Sequence, residues 1–199
     1  MSKQETPNHS GEAITHLRVQ PYDQAVVVLT SDAIDQDGRL DSIYSQAGDG
    51  ISPPLSWAAP PGVVSYALVV EDPDAPRDQP FVHWMMWNIP GSLHALPAGI
   101  EAEAHPSKPD TPDLGGVVQG KNTGGAHGWL GMAPPEGHGP HHYYFQLFAL
   151  DRRLEFGPDT PLEELVHALK AGTLAKGTLV GTFETPGLQP GDAATGSYV

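Results

Sequence analysis

Clusters of proline and glycine divide this chain into short apolar segments, and this punctuation limits the folds open to it. The 199 residues include 23 glycines and 21 prolines. Proline lacks a backbone donor and interrupts helices and central strands. The segments between the clusters are rich in β-branched and aromatic residues, which favour strands. The sequence therefore predicts a mainly β protein, either a sandwich or a barrel. The clearest predicted strands are 25–30, 65–71, 81–89, 141–150 and 179–184.

One helix is predicted towards the C-terminal end. Its apolar stripe has helical spacing and consists of Leu162, Leu165, Val166 and Leu169. Thr160 and Glu163 have the spacing of a capping box, with Pro161 expected at the first helical position. Because the stripe covers a single face, we expect this helix to pack against the sheet.

The length fits one domain with a sizeable core. We expect a polar N-terminal extension over residues 1–20, one domain over 21–187 and a flexible C-terminal tail over 188–199. The first residues lack the apolar region of a secretion signal, and no apolar run is long enough to span a bilayer. A cytoplasmic location without stable membrane insertion is therefore expected.

The charge and the residue types exclude several function classes. The formal net charge is −14, which argues against nucleic acid as a partner and against an electrostatic hold on anionic membranes. The chain has no cysteine, so thiolate zinc sites, iron–sulfur clusters and cysteine nucleophiles are excluded. A near match to a phosphate-binding loop at 115–122 has Asn122 where Ser or Thr is needed.

Three nearby histidines, His138, His141 and His142, raise the question of a metal site. If 141–150 is a strand, His141 and His142 point to opposite faces and do not converge on one ion. His138 lies in the preceding loop and could join either of them. We therefore predict no metal and no cofactor.

Two histidines and a carboxylate instead suggest a small pocket. On the strand 81–89, His83 is predicted to share a face with Met85, and on 141–150 His141 shares a face with Tyr143. Asp72 lies in a turn stiffened by prolines. A carboxylate beside imidazoles favours their protonated form. Such a pocket suits phosphate or another small anion, and we expect its binding to weaken above about pH 7 as imidazoles lose their protons.

A series of ordered motifs between about residues 31 and 184 resembles the phosphatidylethanolamine-binding protein family, whose bacterial form is often called Raf-kinase-inhibitor-like. The motifs are SPPLSW at 52–57, DPDAP at 72–76, HW at 83–84, NIP at 88–90, GKN at 120–122, PPEGHGPH at 134–141 and YYFQLFALD at 143–151. Each motif alone is weak, but their order and spacing together are specific.

The resemblance implies a β-sandwich with a large Greek-key antiparallel sheet, a smaller second sheet and a C-terminal helix. It implies a ligand pocket lined by Asp72, His83, His141 and Tyr143, with walls from Pro76 and Pro135. Members of the family bind small anions and phospholipid head groups, and some modulate kinases or other protein partners. Bacterial relatives suggest a homodimer.

The chain departs from the family pattern at four positions near this pocket. His142 stands where the family has arginine, and Ala133 where bacterial members often have cysteine. Trp129 replaces a tyrosine, and Thr123 replaces an acidic residue. Alternation places His142 on the face away from Tyr143, so we expect the anion pocket to survive that change and a structural or partner contact of the arginine to be lost. We expect the other three changes to alter the rim and the ligand that fits.

The predicted function is non-enzymatic binding of a phosphate-like or phosphorylethanolamine-like head group. The alternative is a metal-assisted or acid–base hydrolase that uses Asp72, His83 and His141. No nucleophile with an orienting base is visible in the sequence, which weighs against hydrolysis. A third reading is an interaction protein whose pocket is vestigial.

Overall fold

The computed structural model describes residues 14–22, 25–106 and 114–186. The predicted tail 188–199 and residues 1–13 of the predicted extension lie outside the described residues. The helices are α1 (Thr15–Arg18) and α2 (Leu162–Gly172). The strands are β1 (Ala25–Val26), β2 (Val28–Thr30), β3 (Leu55–Ala58), β4 (Ser65–Asp72), β5 (Phe81–Pro90), β6 (Ala95–Leu96), β7 (Val118–Gln119), β8 (His141–Leu150) and β9 (Thr173–Phe183).

These strands form two sheets of unequal size. The larger has the order β1-β9-β8-β4-β5-β7, and the smaller has the order β2-β3-β6. The mainly β fold with two sheets and a C-terminal helix is confirmed. The larger sheet is mixed, however, and not wholly antiparallel as predicted, because β1 runs parallel to β9. After two residues paired with β9, the chain leaves the larger sheet and continues into β2 of the smaller sheet.

The larger sheet is the middle of three layers. Its central strand β4 is buried along its whole length, because the smaller sheet covers one face and α2 covers the other. Tyr66, Leu68 and Val70 belong to the core shared with the smaller sheet. Ala67 and Val69 belong to the core under the helix. This alternation determines which β4 side chains can reach a site on either face.

The predicted strand 25–30 is divided between the two sheets at Val27. The Val27 amide donates to the carbonyl oxygen of Lys176 (3.0 Å), and its side chain is buried. The two backbones approach so closely that a Cβ added at Gly177 would overlap the Val27 carbonyl oxygen. A single strand is therefore the wrong prediction here, because one segment serves two sheets.

Replacing Gly177 with alanine should lower the free energy of unfolding by about 1–3 kcal/mol, the usual cost of adding a carbon to a packed site. Gly157→Ala is the matched control, since a Cβ there meets no atom within 4 Å. Urea unfolding of both variants measures the difference. Equal stability of the two variants would contradict the close approach of β9 to Val27.

Part of the predicted N-terminal extension packs against the domain. Ile14 and Val19 are buried, and the Thr15 amide donates to the Glu71 carboxylate (2.8 Å). The helix α1 is one turn long, so it has no helical period that sequence reasoning could detect. Its partners come from β4, β8, β9 and α2. Residues 14–20 are therefore part of the folded domain, which begins before residue 21.

The helix α2 begins one residue later than the capping box predicts. Pro161 is the N-cap residue, and no side chain caps this end. The Pro161 carbonyl oxygen accepts from the Leu165 amide (3.2 Å), which places the first helical residue after the proline. The predicted role of Thr160 is therefore wrong. Neither helix in the described part of the chain is long and apolar enough to cross a bilayer.

Candidate functional site

Asp72 ends β4, and the turn that follows holds its carboxylate in place. Oδ1 accepts from the backbone amides of Asp74 (2.8 Å) and Ala75 (3.2 Å). The proline between Asp72 and Asp74 restricts the backbone and has no amide of its own to compete. The residue is 3% exposed.

His141 begins β8 and meets Asp72 across the sheet. Its Nδ1 lies 2.8 Å from Asp72 Oδ2, and both side chains are buried. Because an ionised carboxylate only accepts, His141 carries a hydrogen on Nδ1. The face shared by His141 and Tyr143 continues into the core against the smaller sheet, as alternation predicts.

His83 reaches the same face through a β-bulge in β5. Val70 pairs with Trp84 and Glu71 with Val82, so His83 is an extra residue in the ladder. A bulge places two successive side chains against one residue of the partner strand and changes the alternation. The prediction that His83 shares a face with Met85 is wrong, since Met85 belongs to the core under α2.

The His83 ring is fixed by a backbone acceptor and by three aromatic neighbours. Its Nδ1 donates to the Leu130 carbonyl oxygen (2.7 Å). The ring centroid lies 4.8 Å from that of Phe81, 5.1 Å from that of Tyr143 and 5.7 Å from that of Trp129. Burial lowers the pKa of His83, more than its hydrogen bond and the nearby Asp72 charge raise it. The neutral ring therefore presents a bare Nε2.

The Tyr143 hydroxyl is buried, and no described residue forms a hydrogen bond with it. Burial is the main cause of a raised pKa at Tyr143, and the charges of Asp72 and Asp74 raise it further. The side chain therefore stays a protonated phenol at physiological pH. It offers a donor that is unused in this structure.

The six site residues predicted from sequence surround one pocket of about 190 Å³. Its complete lining is Gln46, Asp72, Ala75, Pro76, Phe81, His83, Ala133, Pro134, Pro135, His141 and Tyr143. The turn after β4 and the loop before β8 supply the proline walls. The structure thus brings Asp72, Pro76, His83, Pro135, His141 and Tyr143 together. Their contact with a ligand stays a prediction.

Gln46 is a pocket residue that sequence reasoning missed. It follows a 3-10 helix at Ser42–Tyr44 and is held by the loop before β8. Its backbone amide donates to the Met132 carbonyl oxygen (3.0 Å), and its side-chain Nε2 donates to the Gly131 carbonyl oxygen (3.1 Å). Its neighbours in sequence carry no motif, so only the tertiary structure reveals it.

The structure separates the two outer histidines. His138 Nδ1 lies 3.2 Å from His141 Nε2, so His138 joins the pocket side of β8. His142 is exposed on the other face, where its Nδ1 lies 2.7 Å from Asp74 Oδ2. Among the residues that the structure describes, no three His, Cys, Asp or Glu side chains are arranged to hold a metal ion.

The other departures from the family pattern have clear structural roles. Ala133 lines the pocket directly. The Trp129 indole donates to the Tyr44 carbonyl oxygen (3.1 Å) and packs beside His83. The Thr123 hydroxyl accepts from the Val82 amide (2.8 Å), next to the bulge.

Comparison with known proteins identifies the family. The family model described as phosphatidylethanolamine-binding protein matches residues 30–184. A UPF0098 protein of Methanothermobacter thermautotrophicus is 37% identical over 156 residues, covering 78% of this chain and 97% of that protein. The crystal structure of E. coli YbcL, described as a new member of the mammalian PEBP family, has a TM-score of 0.70 at 30% identity, covering 82% of this chain and 99% of that one. The Chlamydia trachomatis homologue CT736 has a TM-score of 0.69 at 32% identity, covering 81% and 99%. With a family match over most of its length and relatives of the same fold and size, the chain belongs to the phosphatidylethanolamine-binding protein family.

Proposed function

We propose that this protein binds a small anion, either free phosphate or a phosphorylated head group such as phosphorylethanolamine, in the pocket between β4, β5 and β8. The observation that carries this proposal is the buried Tyr143 hydroxyl without a described partner. A buried hydroxyl without a hydrogen bond costs about 1–3 kcal/mol. A ligand oxygen that accepts from it removes this cost.

The size and the lining of the pocket fit a small polar ligand. Its volume of about 190 Å³ is below the range of roughly 300–1,000 Å³ that is typical of sites for drug-sized molecules. Pro76 and Pro135 form apolar walls, while His83 and His141 supply imidazoles. A phosphoryl group fits such a site, with the rest of a head group directed towards the opening.

The lining also favours binding over hydrolysis. The described residues that line the pocket include no Ser, Thr, Lys or Cys. The Asp72–His141 pair could orient a general base, but its outer nitrogen faces His138 rather than a hydroxyl.

A histidine side-chain NMR titration with O-phosphorylethanolamine tests this function. We expect saturable shifts at His83 and His141 in the wild type and none in His141→Ala, because that variant loses the imidazole oriented by Asp72. His167→Ala is the matched control, since His167 is exposed on α2. No shift in the wild type with millimolar phosphorylethanolamine or with millimolar phosphate would overturn the proposed function.

A further inference from the structure

The hydrogen-bond chain Asp72–His141–His138 limits where protons can lie at the pocket. Asp72 accepts from two backbone amides and from His141 Nδ1. His141 Nε2 and His138 Nδ1 face each other at 3.2 Å, and two bare nitrogens do not form a hydrogen bond. When both rings are neutral, His138 therefore donates and His141 accepts.

When both rings are neutral, the pocket has few free hydrogen-bond donors. Both His141 nitrogens are engaged, and the neutral His83 ring has a bare Nε2 because its Nδ1 donates to Leu130. Tyr143 is the remaining donor among the four predicted polar groups. A fully ionised anion needs several donors and positive charge nearby. The single Tyr143 phenol does not meet this need. The negative charge of the Asp72 carboxylate repels an anion and so opposes its binding.

Building on the proposed function, we propose that the His138–His141 pair takes up one proton from solvent when a fully ionised anion enters, which makes His138 a further positioning residue of the site. The proton forms a new N–H bond on the pair, and the buffer acid that releases it leaves its conjugate base in solution. The imidazolium then places a positive charge on the pair, one member of which, His141, lines the pocket. His138 is only partly buried, whereas His141 is 2% exposed, so the proton enters through His138.

Several other titratable groups lie around the pair and set its charge balance. They are Asp72 and Asp74 in the turn after β4, His83 on β5, Tyr143 and His142 on β8, and Glu136 in the loop that carries His138. His142 is paired with Asp74 outside the pocket. Tyr143 stays protonated, and burial keeps His83 neutral. The proton therefore belongs to the His138–His141 pair, whose two rings face each other at 3.2 Å.

Calorimetric titration with sulfate tests the proton uptake, because sulfate stays a dianion across the neutral range and brings no proton of its own. Titrations at pH 7.5 in buffers with different ionisation enthalpies give the number of protons bound per anion. We expect about one for the wild type, by proton linkage. His138→Gln should reduce the uptake to less than half and weaken sulfate binding, while His167→Gln should change neither value.

The outcomes separate this proposal from the proposed function. Sulfate or phosphate binding without proton uptake would overturn the proposal and leave the proposed function standing. Uptake that persists in His138→Gln would also overturn the proposal, because it would assign the proton to another ring. Failure of both anions and of phosphorylethanolamine to bind would overturn both. The ring nitrogen shifts of His138 in the wild type give a readout without substitution, and they should move to imidazolium values on sulfate addition.

Discussion

Replacing Tyr143 with phenylalanine should stabilise the ligand-free protein and weaken its binding of phosphorylethanolamine. The hydroxyl is buried and forms no hydrogen bond with any described residue. Its removal eliminates an unsatisfied polar group that costs about 1–3 kcal/mol. In the complex, the same change deletes a hydrogen bond to a charged ligand, worth about 1.5–3 kcal/mol, or roughly a 10- to 150-fold loss of affinity.

The opposite signs of these two effects make the experiment decisive. Tyr144→Phe is the matched control, because Tyr144 is the next residue on β8 and points to the other face of the sheet. Urea unfolding gives the stability, and calorimetry gives the affinity. If Tyr143→Phe proves less stable than the wild type, the hydroxyl has a partner in solution. If it binds the ligand unchanged, the hydroxyl is not a ligand contact.

The two strands of the site show when alternation is a sufficient guide. In β8, His141, Tyr143 and Phe145 keep a regular period of two, so their shared face can be predicted from the sequence. In β5, the bulge at His83 interrupts this period. A bulge depends on how the neighbouring strand pairs, and nothing in the local sequence marks it. The proline-rich turn at Asp72 was predictable because it is stiffened within a few residues.

Elements that depend on distant partners were not predictable. The strands β3, β6 and β7 have four residues or fewer, too short for a clear period. Gln46 reaches the pocket only because Gly131 and Met132 hold it. His138 could be assigned to neither face from its loop position, and its contact with His141 resolves this.

A buried carboxylate, Glu71, lies on the face of the sheet opposite the pocket and binds the N-terminal segment through hydrogen bonds. Glu71 is 1% exposed and accepts from the Thr15 amide (2.8 Å), the Thr15 hydroxyl (3.2 Å) and Gln146 Nε2 (2.6 Å). Burial raises the pKa of Glu71, and its hydrogen bonds and the charge of Arg18 offset part of this effect. The folded state therefore binds this proton more tightly than the unfolded chain does.

The raised pKa gives Glu71 a defined effect on stability against pH. Its contribution is complete below the ordinary glutamate range near pH 4.3 and declines as the pH rises towards the higher pKa of the folded state. Glu71→Gln removes this titration. The stability of the glutamine variant relative to the wild type should rise with pH in that window, by at most about 1.4 kcal/mol per pH unit, and then level off.

Glu71→Ala should have a much larger effect, because Glu71 acts on α1 through the hydrogen bonds that it accepts. A glutamine side chain can accept from Thr15 and Gln146 with its oxygen and donate to the Thr15 hydroxyl with its amide. Alanine does neither, so the buried donors on Thr15 and Gln146 lose their acceptor. Each unsatisfied donor should lower the free energy of unfolding by about 1–3 kcal/mol. Urea unfolding at several pH values compares both variants with Glu164→Gln, an exposed control on α2. A glutamine variant as unstable as the alanine variant would show that the charge itself is required. Because Glu71 faces away from the pocket, Glu71→Gln should leave anion binding unchanged.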